Sequence, residues 1–165
     1  MIEQIVSGGQ TGVDQAALAM ASEAGLCIGG WCPNGGLDAN GVYVLHTYPM
    51  LKQASTSDPN ERTMLNIDNS DGTLIIVPHY PLPDSIVDGT RLTIDYAKKQ
   101  QKPYLIISLS NKSEAIDLIL YWIGQHNIRV LNIGGPREAS SPGIHQASCQ
   151  LFRELFMTLR PRVHL

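Results

Sequence analysis

The chain has 165 residues, of which 43% are hydrophobic and 16% charged, and this composition suits one compact domain. The formal net charge of -3 and the pI near 5.9 argue against broad binding to nucleic acid or to an anionic membrane surface, because both usually require a basic face. No segment resembles a signal peptide and no apolar run is long enough to span a bilayer, so we expect a cytoplasmic protein without a membrane partner.

The elements predicted from hydrophobic patterning alternate between strands and helices. In chain order they are a strand at 4–7, a helix at 13–24, a weaker strand at 26–31, a helix at 60–69, a strand at 73–77, a helix at 90–101, a strand at 104–109, a helix at 113–126, a strand at 130–133 and a helix at 143–159. Strands that are apolar throughout are typical of a parallel sheet with helices on both faces. The pattern predicts an α/β fold, a three-layer α/β/α sandwich with a five-stranded, mainly parallel Rossmann-like sheet, in one domain spanning 1–165.

Glycine-containing polar segments follow four of the predicted strands, at 7–14, 31–36, 88–93 and 134–138. In an open α/β sheet, ligands bind outside the carboxyl ends of the strands, where such loops meet. We expect the spatial order 2-1-3-4-5, counting the predicted strands along the chain. That order places the first glycine turn beside the loop at 88–93.

The first of these segments, SGGQTG, turns a strand into a helix. Its glycines either shape the turn or leave backbone N–H groups at a helix N-terminus free to bind a phosphate. In the second case a branched side chain at Gly9 should occupy the place of the anion. The segment matches neither GxGxxG nor GxxxxGK[ST], which disfavours ordinary dinucleotide binding and Walker-type NTP hydrolysis. We predict that this turn binds the phosphate of a ligand through its backbone N–H groups.

Other polar residues near these turns are candidates for ligand contacts. Gly89 and Thr90 begin a second predicted helix, where Thr90 would cap the helix or donate to an anion. Asp14, in the first turn of the first helix, would cap the helix or accept hydrogen bonds from a ligand. Arg62 and Arg137 are candidates for pairing with phosphate, because the planar guanidinium suits it.

The cysteines and histidines form no recognisable metal or disulfide pattern. Cys27 and Cys32 are too far apart for a CxxC motif, and the five histidines lack HxH and HxxxH spacing. We therefore expect no metal site built from protein side chains.

The segments SGGQTGVDQAAL, GWCPNGG, ERTMLNIDNSDGTLII, DGTRLT and LNIGGPREASSPGI occur in this order along most of the chain. Together they resemble the molybdenum cofactor carrier family, a branch of the Rossmann-like group that includes cytokinin-activating phosphoribohydrolases and DNA-processing proteins. The resemblance implies a protein that binds molybdenum cofactor, a pterin with dithiolene-held molybdenum and a terminal phosphate, and stores, protects or delivers it. Implied partners are molybdoenzymes or cofactor biosynthesis proteins.

The expected cofactor-binding positions combine the residue patterns with the resemblance. They are Gly8, Gly9, Gln10, Thr11, Gly12, Asp14, Pro33, Asn34, Gly35, Arg62, Thr63, Gly89, Thr90, Thr93 and Arg137. The phosphoribohydrolase relatives have a PGGxGTxxE pattern with a catalytic glutamate, and Thr93 stands at that position here. Threonine cannot replace a carboxylate in acid–base chemistry, so we expect no catalytic residue. The alternatives are a nucleotide-processing enzyme and a nucleotide-sensing module.

Two apolar stretches, 116–123 and 151–159, offer more hydrophobic surface than one sheet face needs. They predict a symmetric homo-oligomer, although both would also suit helices that face the core.

Overall fold

A computed structural model of the chain describes residues 1–160. The strands are β1 Gln4–Val6, β2 Ile28–Gly29, β3 Trp31–Cys32, β4 Lys52–Gln53, β5 Gly72–Val77, β6 Tyr104–Ser108 and β7 Val130–Gly134. The helices are α1 Val13–Glu23, α2 Pro59–Asp68, α3 Thr90–Lys99, α4 Ala115–Gln125 and α5 Ile144–Leu159. Each predicted helix is present, and no helix end is shifted by more than two residues.

The main sheet contains five parallel strands in the order β2-β1-β7-β5-β6. Every residue of β5 is buried, as expected for a strand covered by helices on both faces. Helix α5 packs against α1 and α4, whereas α2 packs against α3. The predicted three-layer α/β sandwich is therefore confirmed.

The predicted spatial order of the strands is wrong. Counted as the sequence predicts them, the strands lie in the order 2-1-5-3-4 rather than 2-1-3-4-5, because the last strand, β7, lies between β1 and β5. A right-handed crossover can join two parallel strands whether or not they are neighbours in the sheet. The sequence pattern therefore does not determine between which strands the last one lies. The turn after β1 and the loop before α3 still lie at the same edge of the sheet, with the loop after β7 between them.

The predicted strand at 26–31 is divided between two sheets. Ile28 and Gly29 pair with β1, whereas β3 pairs with β4 in a separate two-stranded parallel sheet. The side chain of Asn66 fixes this second sheet to α2, since its Oδ1 accepts from the N–H of Trp31 at 2.8 Å and its Nδ2 donates to the Trp31 carbonyl at 2.9 Å. Two-residue strands held by a distant amide side chain leave no periodic signal in the sequence.

The two apolar stretches that predicted an oligomer have different surroundings. The stretch at 151–159 packs inside the chain, where Phe152 and Phe156 are fully buried and stack at 5.4 Å. Helix α4, in contrast, exposes 47% of Leu118 and 66% of Tyr121. These two residues line a groove beside β6, the edge strand of the sheet. Oligomerisation stays a prediction, and α4 is its remaining structural basis.

Within residues 1–160, no helix combines the length and the apolar character that a bilayer span requires.

Candidate functional site

A cavity of about 320 Å³ opens at the carboxyl edge of the main sheet. Four segments line it, namely the turn after β1, the first half of α2, the start of α3 with the loop before it, and the end of β7 with the loop after it. Its volume lies at the lower end of the range for small-molecule sites. The sheet topology therefore places the cavity where α/β proteins commonly bind ligands.

The structure brings about half of the predicted site residues to this cavity. Those that line it are Gly8, Gln10, Asp14, Arg62, Thr63, Gly89, Thr93 and Arg137. Those outside its lining are Gly9, Thr11, Gly12, Pro33, Asn34, Gly35 and Thr90. The loop that contains Asn34 and Gly35 instead donates backbone hydrogen bonds to the Thr56 carbonyl and the Gln53 side chain.

Asp14 and Arg62 form a buried ion pair in the wall of the cavity. Arg62 Nη1 lies 2.7 Å from Asp14 Oδ2, and the two side chains are only 11% and 7% exposed. Gly8 permits this pair, because a Cβ at that position would lie 1.7 Å from Arg62 Nη1. Arg62 Nε is buried and has no hydrogen-bond acceptor in the described structure.

A second acid and arginine, Asp88 and Arg137, lie in the same lining. Asp88 accepts hydrogen bonds from the hydroxyl of Thr90 at 2.6 Å, the N–H of Thr90 at 3.1 Å and the N–H of Arg137 at 3.0 Å. Arg137 Nε is 3.9 Å from Asp88 Oδ2, which is too long for a hydrogen bond, and it too is buried without an acceptor. Two arginines in one cavity thus each retain an unpartnered buried N–H.

Carboxylates of the chain already occupy the helix N-termini near this edge. Each accepts a backbone N–H at or just before a helix start, namely Asp14 for α1, Asp58 for α2, Asp88 for α3 and Glu138 for α5. In the SGGQTG turn, the N–H of Thr11 also donates to the Gln10 side chain at 2.9 Å. These internal acceptors leave the arginines as the stronger candidates for contacts to a bound anion.

The two carboxylates of the cavity differ in their proton affinity. Burial raises the pKa of Asp14, and the neighbouring Arg62 guanidinium only partly opposes that rise. Burial acts in the same direction on Asp88. Hydrogen bonds from Thr90 and from the N–H of Arg137 outweigh burial and hold the pKa of Asp88 below its ordinary value. Asp14 is therefore the carboxylate that accepts a proton more readily.

Gly9 does not face the cavity, contrary to the expectation for this turn. Its φ is +74°, and a Cβ there would come within 3.0 Å of Leu51 and 3.5 Å of Val44. Glycine at this position satisfies a left-handed backbone conformation. A valine at Gly9 would thus strain the turn and press against Leu51 and Val44, and it would not fill an anion position.

Sequence reasoning missed several polar residues of the cavity, including Asn66 and Asn132. Asn132 is buried in β7, and its Nδ2 donates to the Thr73 hydroxyl at 3.2 Å. The available signal was the single asparagine in the otherwise apolar segment VLNI. A polar side chain in the middle of a central strand needs a hydrogen-bond partner, so this asparagine marked a polar position within the sheet.

Comparison with known families shows to which family the chain belongs. The sequence model described as "Circularly permutated YpsA SLOG family" matches residues 5–156. The chain belongs to this family. A solved structure from Syntrophus aciditrophicus SB, whose name is "putative molybdenum carrier protein", is 43% identical to this family member. The match covers 94% of this chain and 95% of that chain with a TM-score of 0.85, whereas no curated protein matches.

The strand order of this circularly permutated YpsA SLOG protein has the form that a permutation produces. If β7 and α5 stood before β1 in the chain, the observed order β2-β1-β7-β5-β6 would read 3-2-1-4-5. That is the order of the doubly wound Rossmann sheet. The loop after β7, which contributes Arg137, then corresponds to the first loop of a Rossmann sheet, beside the point where strand order reverses.

Proposed function

We propose that this protein binds molybdenum cofactor as cargo in the cavity at the sheet edge and delivers it to molybdoenzymes or receives it from cofactor biosynthesis proteins. The observation that carries the proposal is the pair of arginines, Arg62 and Arg137, that line one cavity with unpartnered buried Nε–H groups. The name of the 43% identical protein supports a cargo that contains molybdenum.

The terminal phosphate of the cofactor supplies the acceptors that the two arginines lack. Guanidinium groups form charge-assisted hydrogen bonds to phosphate, and each is worth about 1.5–3 kcal/mol. The cavity of about 320 Å³ accommodates the phosphate end of the ligand, with the larger ring system toward the opening. There Val87 and Leu92 offer apolar contact.

A binding role is favoured over hydrolysis by the state of the acidic groups. Thr93, at the position of the catalytic glutamate in the phosphoribohydrolase pattern, donates its hydroxyl to the Gly89 carbonyl at 2.9 Å. Asp14 pairs with Arg62, and Asp88 accepts three hydrogen bonds. In the free protein each carboxylate that lines the cavity thus has a structural partner, and the position of the glutamate that transfers the proton in the phosphoribohydrolase pattern holds a threonine.

The alternative function is binding or processing of a nucleotide, because the same arginines would hold a nucleotide phosphate. The two functions separate in one experiment. The protein is incubated under anaerobic conditions with molybdenum cofactor or with AMP and passed through a desalting column. Metal analysis and fluorescence of the oxidised pterin measure retained cofactor, and chromatography measures free adenine. Retained molybdenum and pterin without adenine release supports the carrier, whereas steady release of adenine supports the enzyme.

Arg137→Met tests the site within this experiment. The substitution keeps the backbone N–H that bonds Asp88 and removes the guanidinium, so we expect cofactor affinity to fall about tenfold to a hundredfold. Arg153→Met is the matched control, since Arg153 lies on α5, is largely exposed and is not in the cavity lining. Equal retention by both variants would contradict the assigned site.

A further inference from the structure

The charged groups that line the cavity balance each other before a ligand enters. Asp14 and Asp88 provide two negative charges, and Arg62 and Arg137 provide two positive charges. An oxyanion that enters adds negative charge beside buried carboxylates. Like charges at short range in a desolvated site cannot all persist, and the usual response is protonation of one carboxylate.

The surroundings of Asp14 make it the group that responds. From α2 it faces the Arg62 guanidinium at 2.7 Å, and from the preceding turn the N–H of Gln10 at 3.2 Å. Ser7, which follows β1, lies nearby, but its hydroxyl donates to the Ile133 carbonyl at 2.6 Å, and Gly134 at the end of β7 carries no charge. Asp88, by contrast, is held ionised by three hydrogen bonds from Thr90 and Arg137.

The unpartnered Nε–H of Arg62 is a hydrogen-bond donor that an entering oxyanion can use. Arg62 uses Nη1 on Asp14, while its Nε is buried without an acceptor. An oxyanion at this nitrogen competes with Asp14 for the same guanidinium charge. The arginine fork is planar and carries five N–H donors, so it can pair with the ligand without losing its own charge.

We infer that an oxyanion binds in this cavity by replacing Asp14 as the charge partner of Arg62, and that Asp14 takes up one proton from solvent as the oxyanion binds. The inference rests on the proposed function, because it assigns a mechanism to the same cavity. The proton adds to a carboxylate oxygen and forms an O–H bond, and Arg62 stays protonated throughout. Release of the ligand returns the proton to solvent and restores the Asp14–Arg62 pair.

The sign of the pH dependence follows from this exchange. Asp14 is ionised in the free protein and protonated in the complex, so its pKa is higher in the complex. Between the two pKa values each binding event takes up one proton, and the affinity falls up to tenfold for each unit by which pH rises. Below the lower pKa and above the upper one, the affinity no longer changes with pH through this group.

Inorganic sulfate is the probe, because it stays a dianion at neutral and mildly acidic pH and contributes no proton of its own. Calorimetric titrations from about pH 5 to about pH 8, each in two buffers of different ionisation enthalpy, measure the affinity and the protons taken up. For the wild-type chain we expect uptake that approaches one proton per sulfate and weaker binding at higher pH. Asp14→Asn should bind sulfate more tightly at neutral pH, with no uptake at any pH.

Asp117→Asn is the matched control, because Asp117 is exposed on α4 and lies outside this cavity. It should behave as the wild-type chain does. Wild-type binding without proton uptake overturns the inference even if Asp14→Asn fails to fold, and so does unchanged uptake in a folded Asp14→Asn. Absence of sulfate binding at millimolar concentration also overturns it. If the protein retains molybdenum cofactor but takes up no proton, this inference is refuted and the proposed function stands. If sulfate binding is coupled to proton uptake but molybdenum cofactor is not retained, only the proposed cargo is refuted.

Discussion

Removal of Arg62 should destabilise the protein through the carboxylate that it leaves behind. In Arg62→Met the methionine fills much of the arginine volume, but Asp14 keeps only the N–H of Gln10 as a hydrogen-bond donor, because the Ser7 hydroxyl donates to the Ile133 carbonyl. Breaking a buried ion pair from one side typically costs about 3–5 kcal/mol. Because 1 kcal/mol shifts the Tm of a chain of this size by about 2–4 °C, we expect a Tm lower by about 6–20 °C.

The loss of stability in Arg62→Met should depend on pH. The direction of the Asp14 pKa shift determines whether this loss grows or shrinks as pH rises. Burial already raises the pKa of Asp14 above its unfolded value, and loss of Arg62 raises it further. A raised carboxyl pKa lowers stability as pH rises from the unfolded pKa toward the folded one. The deficit is therefore smallest in mild acid and grows toward neutral pH.

Urea denaturation of the wild-type chain and of Arg62→Met, in mild acid and at neutral pH, measures these free energies of unfolding. The double variant Asp14→Asn/Arg62→Met removes the stranded charge and should recover most of the loss. A loss in the free energy of unfolding below about 1 kcal/mol would refute the reasoning, because a buried unpaired carboxylate destabilises a protein by more than that. A loss that is equal at both pH values would refute it too.

Four further predictions concern other parts of the molecule. Gly9→Val should lower the Tm, because valine disfavours φ of +74° and meets Leu51. Lys102→Met should cost about 1.5–3 kcal/mol in urea denaturation, since Nζ donates to three carbonyls at the C-terminal end of α2 and just beyond it. Ser55 and Thr56 hold the pKa of Glu61 at about 2, so protection of the amides in residues 53–57, relative to their intrinsic exchange rates, should fall as Glu61 is protonated toward pH 2. Leu118→Glu should reduce the mass that light scattering gives for the expected homo-oligomer, and a wild-type monomer would contradict that expectation.

The elements of the fold were predictable because each has a strong local signal. The segment TLIIV predicts a buried strand, and β5 is buried along its whole length. The neighbours of a strand depend on contacts between distant residues, such as β1 with β7, for which the sequence of one chain carries no periodic signal. The strand order was therefore wrong although every main strand was found.

The candidate site was predicted in part for a similar reason. Loops after parallel strands share one edge, which is why Gly8 and Arg137 line the same cavity, and α2 brings Arg62 to it. The sequence could not show that Asp14 and Asp88 already occupy helix N-termini, because that depends on side-chain direction. The loop at 33–35 was misplaced because β3 leaves the main sheet to pair with β4.

The central position of β7 has a consequence for synthesis of the chain. A chain that emerges from the ribosome N-terminus first can pair β1 with β2 and β5 with β6, but the inner edges of β1 and β5 stay unpaired until β7 follows. Such open edges are where non-native strand pairing begins, and a closure between residues as distant as Gln4 and Val130 is slow. The same late segment brings Asn132 and Arg137 to the cavity. The cavity is thus completed by the same step that closes the sheet, so a partly made chain has no complete cavity.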